Sequence, residues 1–99
     1  MIVVTGTIEL APEHSETLIE PVIEVMRLTA IEKGCIVYRF YRDLENAALF
    51  RIYEEWESET DLEAHLKSPH IAEFGKALRS VRVIGQSIKV LEIESVRPL

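Results

Sequence analysis

Two aromatic-rich runs, "CIVYRFYRD" at 35–43 and "ALFRIYEEW" at 48–56, are joined through the short polar stretch "DLENA". Runs rich in β-branched and aromatic residues read as strands, and so short a link forces the two into an antiparallel hairpin. With the turn centred on Glu45, Phe40 faces Phe50 and Tyr38 faces Ile52. Side chains alternate along a strand with period two, so Ile36, Tyr38, Phe40, Phe50, Ile52, Glu54 and Trp56 share one face. A hairpin at the centre of the chain, apolar on one face, must be covered by what lies on either side of it.

Before it, "IVVTGTIEL" at 2–10 reads as a strand. A helical stripe follows at Leu18, Val22, Met26 and Thr29, widened by Ile19, Ile23 and Ala30, and Gly34 stops it after Lys33. Pro21 inside that stripe predicts either a kink or a helix that begins near it. After the hairpin, "SETD" at 58–61 is a capping box, with Ser58 as N-cap and Asp61 in place of the usual Glu. The short helix it opens carries Leu62, His65 and Leu66 on one side. "SPH" then restarts the helix with Ser68 as N-cap and Pro69 at its first position, and Ile71, Phe74 and Leu78 form the apolar stripe. "VRVIGQSIKVLEIESV" is a last strand whose opening is apolar on both sides, which predicts burial on two faces. The order β-α-β-β-α-β, without repeat or linker, predicts one α+β domain over residues 1–99, ferredoxin-like with an antiparallel sheet. Helices on one face leave Val3, Val37, Tyr41, Leu49 and Tyr53 on the other. A face that apolar calls for burial, and a second copy is the simplest cover.

Charge and cysteine content narrow the function. The net charge of −6, with no Lys/Arg cluster, argues against binding a phosphate backbone or an anionic membrane. The single cysteine, Cys35, forms no internal disulfide, reads as a small buried filler, and suits a reducing cytoplasm. No apolar run reaches the length of a membrane span, and the apolar start lacks the basic region of a signal peptide.

The stretch "EEWESETDLEAHLKSPHIAEF" at 54–74 gathers the only tryptophan, Trp56, with His65 and His70. Trp56 closes the core or walls a pocket for a planar ligand. Glu54 shares an apolar face with Phe50 and Ile52. There a carboxylate needs a partner or takes a raised pKa, unless the strand end is solvated. His65 or His70 could be that partner. His65 lies between Leu62 and Leu66 on the inner side of its helix, and a neutral imidazole can accept a phenol's proton. His70 sits in a first helical turn, which disfavours its charged form. His14 reads as surface. Glu54, His65 and His70 could in principle hold a metal. The histidines are spaced i, i+5 across a helix break, not the i, i+4 of a helical metal pair, so no metal is expected.

Together "EKGC", "YRFYRD", "FRIYEEWES", "LEAHLKSPH" and Phe74 resemble the antibiotic biosynthesis monooxygenase (ABM) domain family, over residues 2–95. The strongest part is Glu54-x-Trp56, then His65, then Ser68-Pro69-His70, and the nearest branch is the small quinol monooxygenases. The resemblance implies a homodimer forming a dimeric α/β-barrel, with a pocket between sheet and helices in each subunit. It implies an oxygenase without flavin or metal, which deprotonates an electron-rich phenol or enol so that the anion reduces O₂. Carried onto this chain, Glu54, His65 and His70 become the proton-handling groups, and Tyr38, Phe50, Trp56 and Phe74 the walls for a small aromatic substrate. The family's haem degraders carry a tryptophan where this chain has His65 and a histidine where it has Gly75, which argues against haem. Two other outcomes fit such a pocket: an isomerase or other proton-transfer enzyme on a small oxygenated ligand, and a non-catalytic dimeric ligand-binding barrel.

Overall fold

In the computed structural model, which describes residues 1–99, the central hairpin is Cys35–Arg42 (β2) and Leu49–Trp56 (β3). Ile2–Leu10 (β1) pairs with β3 on one side and with Val83–Glu92 (β4) on the other. The sheet order is β2-β3-β1-β4, with every neighbouring pair antiparallel. Helix Ile19–Thr29 (α1) crosses between β1 and β2, and helices Glu59–Leu66 (α2) and Pro69–Arg79 (α3) lie between β3 and β4. This is the expected α+β ferredoxin-like order, with the second helical segment broken at "SPH".

The helix starts follow local chemistry. Ser58 Oγ accepts from the amide of Asp61 at 3.2 Å and opens α2. Ser68 Oγ accepts from Ile71 at 3.3 Å and opens α3, with Pro69 in its first turn. Pro21 causes no kink, because α1 begins at Ile19. The first intrahelical bond runs from the amide of Val22 to the carbonyl of Leu18 at 2.9 Å, so at Pro21 no amide hydrogen is needed. Gly34, at φ 81°, turns the chain from the end of α1 into β2.

The core lies between the sheet and the helices. One half joins Ile2, Val4, Val25, Tyr38, Ile52, Trp56 and Leu62. The other gathers Ile8, Leu10, Leu18, Val22 and Phe50. On the opposite face Val3 is buried, Val37, Leu49 and Tyr53 are half-buried, and Tyr41 is 54% exposed.

Three expectations are corrected. The hairpin pairs Phe40 with Ile52 and Tyr38 with Glu54. Asn46 accepts from the amides of Ala48 and Leu49 inside the turn, which moves its centre by one residue and each pairing by two. Shifting by two preserves the faces. Ile36 leaves the helix face, because an irregularity between Cys35 and Val37 turns it outward to 49% exposure. Finally, β4 is an edge strand with Ile84, Ile88, Val90 and Leu91 exposed, because the helices lie over the other strands.

Gly6, in the middle of β1, lets β4 cross at close range. A Cβ at this position would lie 2.1 Å from the carbonyl oxygen of Ser87 and 2.5 Å from Cα of Ile88. Both are backbone atoms of a paired strand and cannot rotate away. Gly6→Ala is expected to cost about 2–3 kcal/mol through overpacking. Urea unfolding monitored by Trp56 fluorescence checks this, with a lower midpoint at unchanged slope.

Candidate active site

A cavity of about 290 Å³ opens between the sheet and helices α2 and α3. Its floor is Val4, Ile8, Tyr38, Phe40, Ile52 and Glu54, and Leu62, His65, Ile71, Phe74 and Leu78 form the helical wall. On the β4 side the rim is Gln86, Ile88 and Val90. That rim is half-open: Ile88 and Val90, with Leu66 opposite, are exposed. Most of the lining is apolar or aromatic, so the few polar groups set how a ligand is oriented.

Glu54 is the principal anomaly of the floor. It is 7% exposed, and its Oε1 accepts from the indole Nε1 of Trp56 at 2.8 Å. Residues two apart on a strand share a face, which brings this pair together. Burial pushes the carboxyl up to about 7, against the opposing pull of the indole hydrogen bond, and the neighbouring Glu32 adds to the rise. Glu54 is therefore poised to exchange a proton near neutrality. Beside it, burial drives the Tyr38 hydroxyl far upward, and the charges of Glu54 and Glu32 reinforce this, so Tyr38 stays protonated and available as a donor.

His65 is 1% exposed and packs at a tilt against two aromatic rings, 4.8 Å from Trp56 and 5.1 Å from Tyr38 between ring centroids. Burial lowers its pKa, although the Glu32 carboxylate opposes this, so the ring is biased to its neutral, basic form. Its partner is Glu32, not Glu54: His65 Nδ1 lies 2.6 Å from Glu32 Oε2. The same oxygen lies 2.8 Å from His70 Nε2. Glu32 is held by the turn after α1, where its amide donates to Thr29 and its carbonyl accepts from Cys35. Only here do histidine and acidic ligand atoms converge, all within 4.8 Å. The two contacts to Glu32 Oε2 are hydrogen-bond separations, and each engages one nitrogen of its ring.

The cavity thus brings together Glu54, His65, Tyr38 and Phe74. Trp56 is fully buried beneath it and acts through Glu54 and His65. Phe50 belongs to the other half of the core. His70 lies on the far side of Glu32 and lines a separate groove of about 350 Å³ between α1 and α3. His14 is half-buried, and its Nδ1 accepts from the amide of Arg82 at 2.9 Å, tying down the approach to β4. Cys35 is half-buried. Glu32 had no individual signal in the sequence: it is one acid among seventeen Asp and Glu, and only the turn brings it to the histidines.

Fold and site define an α+β domain with an apolar pocket carrying an acid and a base. The chain belongs to the antibiotic biosynthesis monooxygenase family, whose profile matches residues 1–77. It is 26% identical to the Escherichia coli K12 protein named "Probable quinol monooxygenase YgiN", over 93% of this chain and 97% of that one. A solved Deinococcus radiodurans structure, described as "a putative antibiotic biosynthesis monooxygenase", superposes with a TM-score of 0.92 at 25% identity, covering 100% of this chain and 98% of the other. A conserved protein from Methanosarcina mazei Go1 gives 0.83 at 28% identity, covering 91% and 89%. No helix is long and apolar enough to cross a membrane.

The raised carboxyl has a consequence for stability. In the folded chain Glu54 holds its proton up to about pH 7, against an ordinary value of 4.5. Its favourable contribution is therefore fully present below the unfolded value and is lost as pH rises through about 7. Glu54→Gln stays neutral at every pH and still accepts from Trp56. The stability of this variant relative to wild type should grow by about 2–3 kcal/mol between pH 4 and pH 8. Denaturant unfolding of both proteins across that range measures it. A pH-independent difference would mean that Glu54 ionises as an ordinary carboxyl.

Proposed function

We propose that this protein is a cofactor-independent monooxygenase that oxidises a quinol or related polyphenol with O₂. The observation that carries the reading is the apolar cavity lined by Glu54 and His65 as its proton-exchanging groups, with Tyr38 beside them. Ground-state O₂ is a triplet, so a closed-shell substrate must first give it one electron, and a phenolate does so far more readily than a phenol. His65, neutral and basic, removes the proton of a substrate hydroxyl. Glu54, poised near 7, returns protons to the reduced oxygen. Tyr38 donates a hydrogen bond to the substrate oxygen, and Phe74 packs against its ring. The balance closes without an added reductant: quinol plus O₂ gives hydroxyquinone plus water, with both pairs of electrons drawn from the substrate. The relationship to a probable quinol monooxygenase supports this substrate class.

We further propose that the working unit is a homodimer acting in the cytoplasm. The rim at Ile88, Val90 and Leu66 and the sheet face at Tyr41 are exposed apolar surface that a second copy would cover. The single free thiol, Cys35, suits a reducing compartment. An isomerase on a small oxygenated ligand would use the same offset pair, one group raised and one lowered, and oxygen uptake separates the two readings.

Metal-free protein is expected to consume oxygen with a naphthoquinol, measured at an oxygen electrode. Glu54→Gln and His65→Gln should each lower turnover by about 10²-fold or more. Light scattering at micromolar concentration should return about twice the 11.3 kDa chain mass. Rates equal to autoxidation, in both wild type and variants, would reject the oxygenase.

A further inference from the structure

We infer that Glu32 is a positioning residue that fixes the tautomer of His65, so that the nitrogen offered to the cavity is a lone-pair Nε2. This deepens the proposed function and rests on it for the reaction, although not for the tautomer itself. A carboxylate has no hydrogen to give, so a ring nitrogen within hydrogen-bond distance of it must carry the hydrogen. Glu32 Oε2 lies 2.6 Å from His65 Nδ1, which assigns the hydrogen to Nδ1 and leaves Nε2 with a free lone pair. The hydrogen bond within the chain engages His65 through Nδ1, and His65 lines the cavity. The opposite tautomer would present an N–H to the substrate hydroxyl and could not take its proton.

His70 completes the arrangement from outside. Its Nε2 lies 2.8 Å from the same Oε2, so it too must donate, and its ring lines the groove bordered by Glu24 and Glu73. Two donors from different helices converge on one oxygen and hold the carboxylate between them. Glu32 leaves the turn after α1, His65 is on α2 and His70 is in the first turn of α3. The base is thereby aimed by three segments that meet only in the folded chain. Neither Glu32 nor His70 lines the cavity, so each acts through His65.

The test begins on wild-type protein, where no variant can confuse folding with function. Long-range ¹H–¹⁵N spectra of ¹⁵N-labelled protein near neutral pH should show His65 protonated at Nδ1 alone, and a hydrogen on Nε2 of His70. Glu32→Leu removes the acceptor while keeping bulk. It should lose the single His65 tautomer and lower kcat on a quinol by about 10²-fold, with KM changed by less than about threefold. Glu32→Gln restores a carbonyl acceptor, so it should keep the Nδ1–H tautomer and recover at least about tenfold of the activity lost in Glu32→Leu. His65 carrying its hydrogen on Nε2 in wild type overturns the inference outright. So does a Glu32→Leu protein with unchanged kcat. A wild type with the expected tautomers that consumes no oxygen with quinols overturns the oxygenase reading and leaves the positioning of His65 standing.

Discussion

Three short helices cover only one face of a four-stranded sheet, and the site follows from that imbalance. α1, α2 and α3 bury Val4, Ile8, Ile52 and Trp56 beneath them but do not reach over β4. The uncovered strip becomes the open side of a cavity whose floor is sheet and whose wall is helix. The same imbalance leaves apolar surface on the far side of the sheet. A small chain buries a modest share of its surface, so its apolar cavity and its exposed apolar strand arise from one shortage of covering elements.

Within the cavity, burial shifts two titrating groups in opposite directions. Desolvation disfavours whichever form is charged, so it raises the acid Glu54 and lowers the base His65. A carboxyl that keeps its proton and an imidazole that lacks one are both usable near neutral pH, which is the combination proton transfer to and from a substrate requires. The folded chain bears a cost for this, since Glu54 is destabilising wherever it is ionised. A catalytic role is one reason to retain such a residue in place of an apolar one.

Much of the fold was legible because it depends on short-range pattern. Period-two alternation marked the strands, and Ser58, Ser68 and Pro69 marked the helix starts within the chain segments they control. Legibility failed wherever the deciding contact came from elsewhere. Asn46 reset the hairpin register through bonds within the turn that composition does not specify. Ile36 was turned out by an irregular pairing opposite Trp56. The apolar pattern of β4 records a strand that wants cover on both sides, but its place at the sheet edge follows from how far the helices reach.

The site divides along the same line. The sequence by itself determined that Glu54 and Trp56 stand on one strand face and that His65 points inward from a short helix, because strand and helix periodicity place neighbours without reference to the rest of the chain. Only the tertiary structure decided the partner of His65. Glu32 precedes it by 33 positions and His70 bonds the same oxygen across 38. No periodicity links a turn after the first helix to the next two helices. That meeting is a product of helices packing on one sheet face, and it determines which carboxylate bonds the imidazoles and which histidine is left outside the cavity.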